Sequence, residues 1–224
     1  MRPFLAWAAA MVLGLAAAAP AGAQSARKSP AQQQAELLEQ LGGGYEGPVQ
    51  AYVARVGERV AVQAGRRDCV FTVVNTDVVN AFAAPPGCYV YVTRGLLAII
   101  NSEDELAAVL GHEVGHVAAN HSGRRQTSSI FTGLGALAVG VLTGSDLAAQ
   151  LAGQVGQAAV LSYSRNQEFE ADSLGLRYIA GAGYAPDALA DLLRALQADD
   201  ALEARLAGRE PTKAATPVWS RTHP

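Results

Sequence analysis

A chain of 224 residues, half of them hydrophobic, can fill one globular core and is short for two. Its 17 basic and 20 acidic residues give a formal charge of −3, which argues against a nucleic-acid partner, since that would call for a basic patch. Two cysteines without Cys-x-x-Cys spacing argue against a cysteine-held metal.

The chain opens on MRPFLAWAAAMVLGLAAAAPAGAQ: one positive charge at Arg2, an apolar run from Phe4 to Ala19, then the small residues Ala21-Gly22-Ala23. This predicts a secretory signal peptide over residues 1–23, an uncleaved anchor being the alternative. No cysteine follows the run, so a lipoprotein anchor is not supported. Cleavage would remove Arg2 and leave 16 basic against 20 acidic residues, a charge of −4. Export would carry Cys69 and Cys88 to a compartment where disulfides persist. A bridge between them would contribute about 3 kcal/mol if unstrained; two buried free thiols are the alternative.

Residues 24–45 are polar, Gln-rich and closed by three glycines, and are expected to form a flexible lead-in. Val49, Tyr52, Val53, Val56 and Val60 then recur at helical spacing and predict an amphipathic helix over about 46–64. The stretches CVFTVVN, NAFAA and CYVYVT, with PPG between the last two, predict a small hairpin or sheet. Ser102 with Glu105 forms a capping box that opens a helix, and Glu103 and Asp104 suit the positive end of its dipole. Ile130–Thr143 is apolar and Gly-rich but too short to span a bilayer; it reads as a buried helix or as a hairpin touching membrane or substrate. Ser145 opens a further helix to about Val160, and a second capping box, Ser164 with Gln167, opens one that closes at Gly181 and Gly183. One or two more helices run from Asp187 to about Leu206. The class is mostly α with a small β-sheet, α+β, without internal repeats.

The chemistry concentrates in AAVLGHEVGHVAANHSG, residues 107–123, an apolar helix carrying groups that are costly to bury unless bound. At about 100° per residue, His112 and His116 fall on one face, one turn apart, with Glu113 on the flank. Two imidazoles so placed can hold one metal, and the intervening glutamate can reach a water on it, as in the H-E-x-x-H zinc hydrolases. Gly111 and Gly115 imply close packing by another element. A catalytic zinc needs a third protein ligand. His121 lies about 140° round from His116 and cannot join the same ion if the helix continues; Ala119 and Ser122 break the H-E-x-x-H-x-x-G-x-x-H pattern. Downstream, Glu168 and Asp172 share a helix face while Glu170 points roughly the other way. One carboxylate can bind the ion and the other orient an imidazole, which selects Glu168 as ligand and Asp172 as support.

With these residues in hand, the sequence resembles the metallopeptidase family of HtpX, BepA and the CAAX prenyl endopeptidases. The resemblance runs through NAFAAPPGCYVYVTRGLL, NSEDELAAVLGHEVGHVAANHS and SRNQEFEADSLGLRYIAGAGY in the family's order. It implies a gluzincin-like metallopeptidase domain over 46–224, one Zn²⁺ on His112, His116 and Glu168, and Glu113 as catalytic base. It also implies that Asn80, Ala81, Phe82 and Ala83 form a strand able to pair with an extended substrate. Similarity to the exported, soluble bacterial members implies a periplasmic location, unfolded or misassembled envelope proteins as substrates, and contact with the membrane or the outer-membrane assembly machinery. The multiple membrane spans of other branches are missing from this sequence. Where the family turn has Pro-Gly-Gly, this chain has Pro86-Gly87-Cys88, consistent with a bridge from Cys88. The closing RTHP resembles a family segment that continues further, which makes this domain either a fragment or a short member. His223 and Arg165 are candidate oxyanion stabilisers; His223 could instead be a fourth, regulatory zinc ligand. The rival reading is a periplasmic chaperone-like binding protein whose zinc is structural or latent.

Overall fold

The structure is a computed structural model that describes residues 28–124 and 146–209. The expected signal peptide, Ser145, the Ile130–Thr143 segment and His223 lie outside the described residues. In chain order the elements are α1 (Pro30–Gln40), α2 (Pro48–Gln63), β1 (Val70–Val74), β2 (Ala81–Ala84), β3 (Tyr89–Thr93), α3 (Arg94–Leu97), α4 (Glu103–Ala118), α5 (Asp146–Gly181) and α6 (Ala188–Leu206). The fold is therefore mostly helical with one small sheet.

α4 is the centre of the molecule. Apolar or small residues surround most of its circumference, and a helix of that kind is buried rather than half-exposed. Every residue from Glu105 to His116 is buried. α2 supplies Val53, Val56 and Val60 to the shared core, the sheet supplies Phe71, Val73, Val90 and Val92, and α4 supplies Leu106, Val109, Leu110 and Val114. Ile179 of α5 and Leu192 and Leu196 of α6 close it from the other side. Ser102 caps α4 by accepting from Glu105 N (3.1 Å). The return half of the expected box shifts by one residue: the Glu105 carboxylate accepts from Asn101 N (2.8 Å) instead of from Ser102.

The sheet has the order β1-β3-β2, with β1 parallel and β2 antiparallel to β3. Pro85-Pro86-Gly87 makes the β2–β3 turn, with Gly87 at φ +97°. Cys69 and Cys88 are joined in a disulfide that ties the approach to β1 onto the start of β3. The outer edge of β1 is covered. The Gln50 side-chain amide donates to Phe71 O and accepts from Val73 N, and Gly43–Tyr45 bonds the strand's far end. β2 forms the opposite edge.

Two expectations are corrected. The lead-in over 24–45 is not irregular throughout, because residues 30–40 form α1. Ser29 and Gln32 make a reciprocal capping box, Pro30 occupies the first turn, and the buried Gln34 bonds Pro85 O and the Tyr91 hydroxyl. A polar helix is stable here because its inward residue is a satisfied amide instead of an apolar side chain. Ser164 does not open a helix either: α5 runs unbroken through it. Small residues and good helix formers on both sides leave nothing that would interrupt the backbone ladder there.

Candidate metal centre

α4 and α5 cross at glycine. A Cβ on Gly111 would sit 2.7 Å from Ile179 Cγ2, one on Gly115 2.7 Å from Ala171 O, and one on Gly175 2.9 Å from His112 N. At Gly115 and Gly175 the backbones therefore meet directly, and at Gly111 the missing side chain leaves room for Ile179. This brings the acidic face of α5 onto the histidine face of α4.

At that crossing His112 Nε2 and His116 Nε2 are 2.9 Å apart, and Glu168 Oε2 lies 3.5 and 3.6 Å from them. Three ligands on a tetrahedral zinc, at bond lengths of about 2.0–2.2 Å, would be separated by roughly 3.3 Å. Glu168 Oε2 is buried yet has no hydrogen-bond partner, an arrangement that is costly unless a cation completes it. The donor set thus fits a zinc ion, and these three residues form the group of potential ligands among the described residues. Glu113, on α4 between the histidines, is also buried.

Each imidazole has a partner on its outer nitrogen. His112 Nδ1 lies 2.8 Å from Asp172 Oδ1, which fixes the proton on Nδ1 and leaves Nε2 facing the cluster. His116 Nδ1 lies 2.8 Å from His121 Nδ1, and His121 Nε2 is 3.2 Å from Glu170 Oε2. The electrostatics favour positive charge at the cluster. Burial pushes the His112 pKa down, but its bond to Asp172 and the adjacent Glu168 and Glu113 carboxylates outweigh that and hold it at about 9. Burial would raise the Glu168 carboxyl, yet the two histidines hold it well below the usual carboxylate range. For His116 burial dominates and lowers the pKa.

The other residues singled out in the sequence are placed as follows. Asn80 precedes β2, Ala81–Ala83 lie within it, and β2 packs against α4. Arg165 is exposed on α5. Glu170 and His121, which angular reasoning set apart from the ion, enter the cluster's periphery. The missed signal was Asn120, whose φ of +52° ends α4 and turns His121 back beneath His116; asparagine is among the few residues that tolerate this conformation.

Two imidazoles and a glutamate converging on one point of an H-E-x-x-H helix are a donor set that fits the ligands of a gluzincin-type metal centre. Comparison with known proteins narrows the class. The model of Peptidase family M48 matches residues 48–224. The "Beta-barrel assembly-enhancing protease" of Yersinia pestis is 31% identical over 163 residues, 68% of this chain and 33% of that protein. The "Mitochondrial metalloendopeptidase OMA1" of Arabidopsis thaliana is 39% identical over 114 residues, 51% of this chain and 23% of the relative. The "Metalloprotease LoiP" of Escherichia coli K12 is 36% identical over 116 residues, 50% of this chain and 45% of the relative. The chain belongs to peptidase family M48, and so to the zinc metallopeptidases. It spans less than half the length of each of these three relatives.

Proposed function

We propose that the chain is a zinc-dependent endopeptidase that cuts unfolded or misassembled proteins of the bacterial envelope, with His112, His116 and Glu168 as ligands and Glu113 as general base. The observation that carries the reading is the meeting of those three donors beside a buried glutamate at the α4–α5 crossing. A zinc ion held by these residues would supply Lewis acidity to the scissile carbonyl and to the attacking water. The Glu113 carboxylate would accept a proton from that water as it adds to the carbonyl and pass it to the departing amide nitrogen. Asp172 keeps the His112 proton on Nδ1, away from the ligand nitrogen.

β2 is the strand on which an extended substrate would lie. Thr93 N donates to Asn80 O at 3.0 Å. In the antiparallel alternation that follows, Phe82 and Ala84 bond β3, while the backbone groups of Ala81 and Ala83 point to the outer edge. A substrate strand added there would be fixed by main-chain bonds with little demand on its sequence, which suits a protease for unfolded chains. The N-terminal leader and the Cys69–Cys88 bridge support export to the periplasm. No helix among the described residues is long and apolar enough to cross a membrane. The names of the assembly-enhancing relatives support a partner in the outer-membrane assembly machinery.

Replacing Glu113→Gln tests the assignment. The variant is expected to hold one equivalent of zinc but to lose casein cleavage by several orders of magnitude, measured beside the chelator-treated wild type. Cleavage that persists in Glu113→Gln removes the general-base role. A wild type that binds zinc and suppresses aggregation without cleaving would favour the chaperone-like reading instead.

A further inference from the structure

We infer that His121, anchored by Glu170, is a positioning residue that sets the tautomer and ring orientation of His116 toward the metal; the inference rests on the zinc-peptidase reading above. His121 is fully buried, has no place among the three ligand donors, and yet lies in line with them. The chain of contacts runs His116 Nδ1 to His121 Nδ1 at 2.8 Å, then His121 Nε2 to Glu170 Oε2 at 3.2 Å. Arg124 holds the far end, donating to Glu170 Oε2 at 3.0 Å and to Ala119 O at 3.1 Å.

Proton bookkeeping along this chain has one solution that leaves His116 able to hold a metal. Two imidazoles meeting Nδ1 to Nδ1 share a single proton. A carboxylate only accepts, so Glu170 places a proton on His121 Nε2. Neutral His121 then offers a bare Nδ1, which accepts from His116 Nδ1–H. His116 Nε2 is left without a proton, facing His112 Nε2 and Glu168 Oε2. The opposite assignment would put the His116 proton on Nε2 and abolish its lone pair where the metal sits. Each ligand imidazole therefore has an anionic orienter: Asp172 directly for His112, and Glu170 through a second imidazole for His116.

The backbone is shaped for this arrangement. A continued helix would carry His121 about 140° away from His116. Asn120, at φ +52°, breaks α4 and returns the chain so that the two rings lie edge to face, with centroids 4.9 Å apart. Gln167 of α5 fastens the turn by donating to His121 O at 3.4 Å.

The test uses the whole chain. Zinc affinity is read by competition with a chromogenic chelator, ligand geometry by the visible absorption of the cobalt-loaded protein, and folding by thermal unfolding of the metal-free form. His121→Ala is expected to weaken zinc binding about 10–100-fold and to shift the cobalt bands. His121→Asn, whose amide oxygen can accept where Nδ1 did, is expected to recover most of that loss. Glu170→Ala, at an exposed position, is expected to weaken binding several-fold with an unchanged unfolding midpoint; it and His121→Asn decide the matter if His121→Ala does not fold. Wild-type affinity and spectrum in both His121→Ala and Glu170→Ala would overturn the inference alone. A wild type that takes up neither metal would overturn the peptidase reading with it.

Discussion

At the scale of single residues, the proposed metal centre would depend on nitrogen lone pairs that hydrogen bonds on the far side of each ring aim at the ion. His112 and His116 were legible in the sequence because helical period alone puts i and i+4 side chains together, whatever surrounds them. Glu168 and Asp172 were legible by the same rule applied to a second helix. His121 and Glu170 were not, because the angular argument assumed a helix that in fact ends at Ala118, and one left-handed residue changes every direction after it. The dependence on aim makes Asp172 testable. Asp172→Asn keeps an oxygen near His112 Nδ1 but removes the charge that holds the proton there. Zinc affinity is expected to fall about tenfold, measured by chelator competition, with the thermal midpoint of the metal-free protein unchanged because Asp172 is substantially exposed.

Between elements, glycine and tyrosine do different work on α4. Gly111, Gly115 and Gly175 let two helices approach until backbone meets backbone, and this approach, not side-chain length, decides whether Glu168 reaches the histidines. Gly115→Ala puts a methyl group 2.7 Å from Ala171 O, so α5 must shift. Overpacking of this kind costs about 1–3 kcal/mol. The variant is expected to melt earlier and to bind zinc more weakly than wild type; a variant matching wild type in both would mean that the crossing is not what sets the site. At the other end of α4, the Tyr184 hydroxyl donates to Glu103 at 2.9 Å, and Ala185 N donates to Asp104 at 3.1 Å. Acidic residues read in the sequence as suiting the helix dipole thus also dock the turn after α5. Burial and the bond to Glu103 raise the pKa of both Tyr184 and Tyr52. A phenol whose folded pKa is raised contributes stability that is fully present below its unfolded value of about 10 and is lost as pH rises through the folded value. Thermal unfolding followed from pH 8 to 11 is expected to show that loss above about pH 10, with a shallower slope in Tyr184→Phe.

For the molecule as a whole, class and connectivity were legible to different degrees. The balance of helix over strand follows from local patterns, and so do the β2–β3 turn at Pro85-Pro86-Gly87 and the helical spacing of α2. Pairing of β1 parallel to β3 does not, since it joins strands that are not neighbours in sequence and depends on where α2 and α4 leave room. α1 is hard to read from apolar periodicity, which marks helices that bury apolar faces, because its buried residue is the amide Gln34; the Ser29–Gln32 capping pair and Pro30 at the first turn are its local signs. The disulfide bears directly on the non-local pairing. It closes a loop across 19 positions, from the entry of β1 to the start of β3, and that loop contains all of β1 and β2. Removing it frees the unfolded chain more than the folded one, a difference of about 3 kcal/mol for a loop of this length. In a domain of this size that corresponds to a fall in Tm of roughly 6–12 °C. Cys69→Ser/Cys88→Ser is expected to show this fall while keeping zinc stoichiometry, because His112, His116 and Glu168 are held by α4 and α5 and not by the sheet. Loss of zinc together with the bridge would mean that the sheet, through its packing on α4, takes part in holding the metal centre.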